Sequence, residues 1–545
     1  MYLLPDPQLR KAMQSIWEML GKPEPPDSNK FYQMTEAFRH GPAPAIYNTT
    51  RSAQLIQAAA EATTSIALAP WRAFNSAFAA PALQEGEQPR LLSPLEFFSM
   101  ASSFFTRRIQ SVHDVARAKL AVMALMFNPR IEAPEWNIPS TPIFDKSDPN
   151  VVIDDVPITV EVMKDRKASQ TLHFRKTYPP SQERKDPKVL IVVPDSGHWG
   201  TYVRNTVRDM LPDHDVHVLA MKNPRDVKGL GKFGLNNYTT MLMEAMDDFN
   251  GDVHVIGICQ PGPALVAGVS LMHQINKALK AAGRKLLHPP KSLTLLASPI
   301  NTGYQGLGDV KSSVVTRFAD DTPMEYFETE AIAQVPYGYG YAGEGEWVRP
   351  GILQGLAFMV SKDELHDEAM EHYEGHVRMG HGEQARKVEA NYDEFLAFKD
   401  IAGKLFTDTI RVVFKEKHLP KGIWKWSGKI AGMDFLDMLV KPSEITETAL
   451  MTGEGKKDHI TEESQCHHAH KLVTSIPDDM REEYTDPMAG HTGMFSSGRF
   501  SYHILPRIAA FMRRNDAQAL QYSKRPEHRV VPGHHTKEHF VPIAA

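Results

Sequence analysis

The stretch Val253-His254-Val255-Ile256-Gly257-Ile258-Cys259-Gln260-Pro261 decides the fold class, because it reads as a buried strand ending in a sharp turn with a thiol at its apex. This is the layout of a nucleophile elbow, G-x-Ser-x-G, with Cys259 in place of the serine and Pro261 in place of the second glycine. Gly257 supplies the small residue that lets the strand and the following helix approach closely. Pro261 suits the first turn of a helix, where a backbone N–H has no intrahelical partner. A free cysteine is also a common small core residue, so the elbow by itself leaves a structural role open.

Strands and helices alternate on both sides of this elbow. Apolar strand patterns occur at residues 151–153, 158–162, 170–175, 188–194, 217–220, 292–298 and 446–452. A helical pattern at 238–249 precedes the elbow strand, and an apolar helical segment at 264–272 follows it. This alternation predicts an α/β fold with right-handed crossovers and a mostly parallel sheet.

The pattern divides the chain into five predicted parts. They are a helical N-terminal region at 1–150, a first core part at 151–302, a helical insertion at 303–443, a second core part at 444–515 and a flexible polar tail at 516–545. An insertion between late strands usually covers the carboxyl edge of an open sheet, so we interpret it as a cap; a merely structural insertion is the alternative. A predicted helix at 97–127 carries an apolar stripe and cations, which fits either an apolar or lipid surface or the protein's own core.

Composition excludes several classes of protein. The chain of 545 residues is 42% hydrophobic and 23% charged, as in ordinary soluble globular proteins, and its net charge of −5 gives no basic field for nucleic acid. The two cysteines, Cys259 and Cys466, argue against a disulfide scaffold and fit a reducing cytosol. No secretory signal and no run of about 18 apolar residues is evident, so we expect no transmembrane helix.

A base and an orienting acid for the thiol follow later in the chain. A thiol nucleophile needs both groups, and they are expected in loops after strands in the order nucleophile, acid, histidine. Asp458 lies in the loop Gly453-Glu454-Gly455-Lys456-Lys457-Asp458 beyond the predicted strand at 446–452. His491 stands between glycines in Gly490-His491-Thr492-Gly493. Their order and placement predict a Cys259–His491–Asp458 triad.

The backbone N–H of Gln260 and an N–H from the Ser196 turn are the predicted oxyanion donors. His198 and Trp199, in the same loop as Ser196, are predicted to contact substrate or to support the loop, and a second acid–base role for His198 is the alternative. Cys466 and His470 share a helix face, but no second ligand pair accompanies them, so we expect no metal site.

From about residue 150 to about residue 515, the chain resembles the intracellular poly(3-hydroxybutyrate) depolymerases, members of the α/β-hydrolase superfamily. The segments that carry the resemblance are Val193-Pro194-Asp195-Ser196-Gly197-His198, Leu211-Pro212-Asp213-His214, Val255-Ile256-Gly257-Ile258-Cys259-Gln260-Pro261, Ala297-Ser298-Pro299-Ile300-Asn301-Thr302, Pro350-Gly351-Ile352-Leu353-Gln354, Asn391-Tyr392-Asp393-Glu394-Phe395, Leu419-Pro420-Lys421-Gly422, Gly453-Glu454-Gly455-Lys456-Lys457-Asp458 and Gly490-His491-Thr492-Gly493-Met494-Phe495. The family usually has Tyr where Thr492 stands and a second Asp where His459 stands, and neither departure removes a triad member.

The resemblance implies that Cys259, Asp458 and His491 hydrolyse the polyester of storage granules in the cytoplasm, without a cofactor, through a thioester intermediate. Water or the thiol of coenzyme A is the implied acyl acceptor, and the polymer side-chain length and the oligomeric state stay open. One alternative is a polyhydroxyalkanoate synthase, whose elbow resembles G-x-Cys-x-G-G; Pro261 argues against it. The other is a non-catalytic granule-associated protein in which the elbow is a relic.

Overall fold

The computed structural model describes residues 114, 118, 121, 133–144, 152–180, 185–303, 313–335, 337, 342–351, 353, 354 and 363–516. The chain divides into two compact units, Met1–Gln33 with Arg130–Lys362 and Glu394–Ala545, and Met34–Pro129 with Asp363–Asp393. Most of the predicted N-terminal region and nearly all of the predicted polar tail lie outside the described residues. Asp114, Ala118 and Ala121, within the predicted helix at 97–127, are helical. The domain boundaries drawn from the sequence remain predictions.

Fourteen strands lie in the described part of the chain. They are β1 (Ser140–Phe144), β2 (Val152–Asp165), β3 (Ser169–Lys176), β4 (Lys188–Val192), β5 (Asp215–Met221), β6 (His254–Ile258), β7 (Ser292–Leu296), β8 (Ala333–Gln334), β9 (Trp347–Arg349), β10 (Ile401–Ala402), β11 (Lys425–Ile430), β12 (Met433–Leu439), β13 (Ala449–Gly455) and β14 (Arg481–Asp486). A nine-stranded sheet has the order β1-β2-β3-β5-β4-β6-β7-β13-β14. Three short strands, β10-β9-β8, form a second sheet, and β11 and β12 form a hairpin.

The order and direction of the strands define the large sheet as an α/β-hydrolase sheet. The pairs β1–β2, β2–β3 and β3–β5 are antiparallel. From β5 onward, through β4, β6, β7, β13 and β14, every pair is parallel. Because β4 and β5 exchange places, the sheet has a topological switch point, where ligands bind at the carboxyl ends of the strands. The predicted α/β-hydrolase fold is confirmed.

Helices connect these strands and cover the sheet. The described α-helices are α1 (Arg204–Met210), α2 (Leu235–Asp247), α3 (Gly262–Ala281), α4 (Val314–Asp321), α5 (Met324–Thr329), α6 (Asp363–Met379), α7 (Gly382–Phe395), α8 (Gly403–Thr409), α9 (His418–Lys421), α10 (Ala469–Leu472) and α11 (Leu505–Arg514). Val207 of α1 and Phe511 of α11 share one buried cluster with Ile191 of β4 and Ile256 of β6. Alternate residues of the same strands, such as Leu190 and Val255, are also fully buried, as expected for a parallel sheet covered on both faces.

Two features of the fold differ from the sequence-based prediction. Strands β1 and β14 lie at the two ends of the sheet order and were not predicted, because β1 contains Pro142 and β14 reads Arg-Glu-Glu-Tyr-Thr-Asp. Proline and charged residues are typical of edge strands and weaken the strand signal. The segment between β7 and β13 is also less helical than predicted, because it contains strands β8–β12.

The second unit includes α6 and all but the last two residues of α7. In this unit the Tyr373 hydroxyl of α6 donates to Glu389 Oε1 of α7 at 2.7 Å.

Among the helices of the described residues, none has both the length and the hydropathy that a bilayer-spanning helix needs.

Candidate active site

Cys259 occupies a strained turn between strand β6 and helix α3. The strand ends at Ile258 and the helix begins at Gly262, and Cys259 between them has a φ of +62°, a left-handed conformation that is uncommon outside glycine. A Cβ on Gly257 would overlap Leu265 Cδ1, and one on Gly262 would overlap Ser298. These two glycines therefore allow the sharp reversal, and a strained backbone at such a position is typical of functional sites.

Pro261 fits this turn without cost. It directly precedes α3 with a φ of −67°, which is the angle that its ring imposes. The turn is held by other backbone donors, because the Cys259 N–H donates to Leu296 O at 2.8 Å and the Gly262 N–H donates to Cys259 O at 3.1 Å. The elbow therefore does not require a glycine where Pro261 stands.

The predicted acid and base contact each other. Asp458 follows strand β13, and its Oδ2 lies 2.7 Å from Nδ1 of His491. The other oxygen, Oδ1, accepts the backbone N–H groups of Ile460 at 2.8 Å and Thr461 at 2.9 Å, so the carboxylate is fixed in orientation. Both side chains are buried, with 0% of Asp458 and 9% of His491 exposed.

His491 also hydrogen-bonds to Cys259, which brings the three predicted residues together. Burial by itself lowers the pKa of His491. The Asp458 carboxylate, the Cys259 sulfur and the hydrogen bonds to both outweigh burial and raise that pKa to about 10. At neutral pH the imidazole therefore carries a proton, shared between a carboxylate and a sulfur. This is the arrangement of a cysteine paired with a histidinium.

Gln260 and Ser196 lie where donors to an oxyanion are predicted. Gln260 immediately follows Cys259, and within the described ranges no acceptor takes up its backbone N–H. Ser196 lies in the loop after β4, and its hydroxyl bonds to Nδ1 of His198 at 2.9 Å. Gly197, with a φ of +94°, allows this loop to turn sharply. That the backbone N–H groups of the turn and of the elbow bind a developing negative charge stays a prediction.

His198 lies inside the protein rather than on its surface. Its ring stacks on Tyr202 with centroids 4.0 Å apart and packs on Phe398 at 4.2 Å. Burial lowers the pKa of His198 to about 3, so the imidazole is neutral at physiological pH. This environment favours a supporting role for His198 over that of a second acid or base. Trp199 is half-buried beside it and starts the short 3-10 turn Gly200–Val203.

The loop after β4 that contains Ser196 and Gly197 is held by residues just before β10. Sequence analysis did not predict this contact. The Lys399 N–H donates to Gly197 O at 2.7 Å, and Phe398 pairs with His198 in an isolated β-bridge. The Lys399 ammonium, only 2% exposed, lies 3.4 Å from Asp195 Oδ1. Residues about 200 positions apart meet here, and nothing in the local pattern around Lys399 announces it.

Tyr202 is a second residue that the sequence did not reveal. Its hydroxyl hydrogen-bonds to Thr492, the residue after His491, and burial together with the nearby Cys259 sulfur raises its pKa. Its ring bridges two parts of the site, since it stacks on His198 and packs on Phe495 at 5.8 Å. Phe495 in turn lies edge-on to the His491 ring at 6.0 Å. Tyr202 thus connects the loop that contains Ser196 and His198 to the loop that contains His491.

A cleft lies beside the elbow and is lined in part by Gln260 and Pro261. Gln260 and Asp195 line it at the end nearest the oxyanion loop. Most of the remaining lining is apolar and comes from α2, α3, α8 and the π-helical turn after α8; it includes Leu235, Tyr238, Pro261, Ala264, Leu405, Phe406, Ile410, Val413 and Phe414. The cleft therefore offers an apolar binding surface directly next to the reactive centre.

The cysteine and histidines at 466–470 use their polar atoms within the fold. The Cys466 thiol donates to Leu295 O at 3.5 Å, and burial and the nearby Glu454 carboxylate raise its pKa well above the usual range. His467 bonds to Thr452 Oγ1 at 2.6 Å and to Thr485 Oγ1 at 2.9 Å. His470 also bonds to Thr452 Oγ1, at 3.0 Å. These groups tie the segment after β13 to the sheet.

Comparison with solved structures returns matches of low sequence identity, among them a lipase and an esterase. The putative lipase of Acinetobacter baumannii AYE is 10% identical, with 65% of this chain and 92% of that chain covered and a TM-score of 0.33. The naproxen esterase of Bacillus subtilis is 10% identical, with 66% and 92% covered and a TM-score of 0.34. No curated protein sequence matches the chain. The strand order, with an elbow after β6, defines the class of this protein as an α/β-hydrolase.

The family comparison is more specific. Residues 298–516 match the model described as PHB de-polymerase C-terminus. This stretch of the chain is therefore similar to the PHB depolymerase C-terminal domain, in agreement with the sequence resemblance. The matched segment contains Asp458 and His491, while Cys259 precedes it. Domain and fold together support a polyester hydrolase.

Proposed function

We propose that this protein cleaves the ester bonds of poly(3-hydroxybutyrate)-type storage polyester with Cys259 as nucleophile, His491 as acid and base, and Asp458 as the group that orients His491. The observation that carries the proposal is the 2.7 Å contact of Asp458 with His491, whose ring also bonds to a cysteine held in a left-handed elbow. The PHB depolymerase C-terminal domain supports the choice of polymer.

In the first half of the reaction, the Cys259 sulfur attacks the carbonyl carbon of a polymer ester. The pKa of His491 is raised to about 10, so the imidazole is the proton carrier of the pair and the Cys259 sulfur is the proposed nucleophile. The carbonyl oxygen becomes negative and is stabilised by the N–H groups of Gln260 and the Ser196 turn. When the tetrahedral intermediate collapses, His491 gives its proton to the departing alkoxide. A shortened polymer with a free hydroxyl leaves, and a thioester on Cys259 remains.

In the second half, an acceptor releases the acyl group. His491, now neutral, takes a proton from water, whose oxygen attacks the thioester carbonyl and displaces the Cys259 sulfur. The product is a hydroxy acid, and the sulfur–imidazolium pair is restored. The thiol of coenzyme A could replace water in the same step and would yield a hydroxyacyl thioester. A thiol nucleophile suits either acceptor, since its thioester is reactive toward both.

The cleft beside Gln260 supports binding of an aliphatic polyester. Its apolar lining suits the methylene and methyl groups of a hydroxyalkanoate, while Asp195 and Gln354 add polar groups within the lining. We propose that the segment between β7 and β13 acts as a cap over this cleft, and that the enzyme acts in the cytoplasm on storage granules.

The test is release of 3-hydroxybutyrate units from amorphous granules, with and without coenzyme A. Wild type should release them, and Cys259→Ala should lose at least about a thousandfold in rate. Cys466→Ala is the matched control, because Cys466 is the only other cysteine and is buried in a structural hydrogen bond. Product analysis identifies the acceptor, as free acid or as the coenzyme A thioester.

Three results would contradict the proposal. Near-normal release by Cys259→Ala would remove the nucleophile assignment. Consumption of 3-hydroxybutyryl-coenzyme A with growth of polymer, and no release from granules, would instead indicate a synthase. Granule binding without turnover by any variant would indicate a coat protein.

A further inference from the structure

A second cluster of ionisable side chains lies on neighbouring strands β3 and β5, outside the proposed active site. His173 of β3 and His217 of β5 are direct cross-strand partners in the ladder. Their rings are stacked with centroids 4.3 Å apart and an interplanar angle of 5°. Asp215 stands two residues before His217, hence on the same face of β5. Its Oδ1 lies 2.7 Å from Nε2 of His173.

Possible ligand atoms of the three residues lie close together. One donor atom from each residue lies within 4.8 Å of the other two. The Nδ1–H of His217 points to the backbone oxygen of Asp215 at 3.3 Å, which leaves the lone pair on Nε2. A backbone carbonyl on the second ring nitrogen is the usual partner of a metal-binding histidine. Phe249 packs edge-on against this ring at 4.9 Å and limits its rotation.

Positive charges close to the cluster are already paired. Lys188 pairs with Asp252 at 2.9 Å, and Lys176 forms an ion pair with Asp186. The cluster is half open to solvent, with the His173 side chain 21% exposed and that of Asp215 28% exposed. A metal ion can therefore enter from solvent and keep a water molecule as a further ligand.

We propose that His173, Asp215 and His217 bind a divalent transition-metal ion of the zinc and cobalt class, in a structural site at the opposite edge of the sheet from Cys259. Two imidazoles and one carboxylate with an open position form a ligand set that zinc commonly uses. On binding, the metal replaces the hydrogen between His173 Nε2 and Asp215 Oδ1, and His173 carries its proton on Nδ1 instead.

The position of the site indicates what the ion does. Asp215 is the first residue of β5, whereas Cys259 follows the last residue of β6 in the same parallel sheet. The β3–β5 pair is also the junction between the antiparallel strands β1–β3 and the parallel part of the sheet. An ion bound to both strands would hold this junction together and stabilise the fold, independently of ester hydrolysis.

The experiment is titration of the metal-free full-length protein with Zn²⁺ and Co²⁺, followed by calorimetry, visible absorption and thermal unfolding. The chain has 24 histidines, so the comparison rests on the difference between variants. His217→Phe removes one ligand. His288→Gln is the matched control, because His288 bonds to Asp247 at 2.8 Å and lies outside the cluster.

Wild type and His288→Gln should bind one more ion than His217→Phe, and their thermal midpoints should rise by about 2–5 °C with metal while that of His217→Phe does not. Co²⁺ in this site should show visible d–d bands without the sulfur-to-metal band that binding at Cys259 would give. Asp215→Asn, which keeps the shape of the cluster, should weaken binding by about tenfold or more. Equal stoichiometry and equal midpoint shifts in wild type, His217→Phe and Asp215→Asn would overturn the proposal.

Discussion

Two histidine–aspartate pairs in this protein have the same 2.7 Å contact and different surroundings. His491 and Asp458 are almost fully buried at the carboxyl ends of the parallel strands. His173 and Asp215 are partly exposed where strand β5 begins. The His491 imidazole also contacts the Cys259 sulfur. The His173 imidazole stacks on the ring of His217.

We propose different roles for the two His–Asp pairs, because the third group beside each pair and its location on the sheet differ. A sulfur beside a buried imidazolium suits the proposed acyl transfer, whereas a second imidazole beside a carboxylate suits the proposed metal site. The following predictions test this distinction, beginning with the largest expected effect.

Replacing His491 should abolish catalysis. His491→Gln removes both the proton donor for the alkoxide and the partner of the Cys259 sulfur, so kcat/KM for polyester hydrolysis should fall by at least about a thousandfold. His288→Gln breaks another exposed His–Asp pair and should stay within about threefold of wild type. A His491→Gln variant that kept more than a tenth of the wild-type rate would contradict the catalytic role that distinguishes the His491–Asp458 pair from the His173–Asp215 pair.

The Asp458 charge should set the alkaline limit of activity. Since the pKa of His491 is raised to about 10, kcat/KM should hold through pH 9 and decline around pH 10, where the imidazolium loses the proton that the leaving group needs. Asp458→Asn should lower the rate by about a hundredfold and move this limb to lower pH. A pH–rate profile of both proteins provides the measurement.

The same pKa has a consequence for stability. A histidine whose pKa is higher in the folded than in the unfolded protein stabilises the fold below its unfolded value of about 6.5, and this contribution is lost as the pH rises toward 10. The difference in unfolding free energy between wild type and Asp458→Asn should therefore shrink above pH 7. A constant difference from pH 6 to pH 10 would contradict the ion pair.

A smaller effect is expected from crowding the histidine loop. A Cβ on Gly455, at the end of β13, would overlap the Ala489 carbonyl oxygen and lie 3.2 Å from Gly490 O. Gly455→Ala should therefore displace His491, with kcat reduced by about 10- to 100-fold and stability by about 1–3 kcal/mol. Gly375→Ala is the control, since its Cβ meets only Met379 Cε at 3.9 Å. Kinetics and thermal unfolding of both variants would separate them.

The smallest effect is expected at Tyr202. Tyr202→Phe keeps the ring that stacks on His198 and removes only the hydrogen bond to Thr492, so kcat/KM should fall by about three- to tenfold. Thr492→Val removes the same bond from the other side, and the double variant should be no worse than either single one. Additive losses would mean that the two residues act separately.

The sequence predicted the parts of the site that depend on local pattern. Cys259 follows a clear apolar strand, and Asp458 and His491 follow in the expected order, so the triad could be predicted from the sequence; its catalytic role stays a prediction. The contacts that Lys399 makes with the loop after β4, and the link that Tyr202 makes between His198 and Thr492, could not be predicted from the sequence. Each joins segments that are far apart in the chain. No alternation or spacing reports such a contact.

The His173–His217 pair shows the same limit in the sheet. Both residues lie in strands that the sequence predicted, but pairing one with the other requires the register between β3 and β5. A shift of one residue would send the two rings to opposite faces. Edge strands β1 and β14 escaped detection for a different reason, since proline and charges that protect an edge also hide the strand pattern.

The hydrogen bond between Lys399 and Gly197 has a consequence for how the protein folds during synthesis. The loop that contains Ser196 and Gly197 is held by Lys399, which is synthesised about 200 residues later. His491, the proposed partner of Cys259, is synthesised later still. A nascent chain would therefore emerge with its reactive cysteine already translated but without partners. Activity during synthesis should appear only once nearly the whole chain has left the ribosome, which a time course of coupled translation and ester cleavage would reveal.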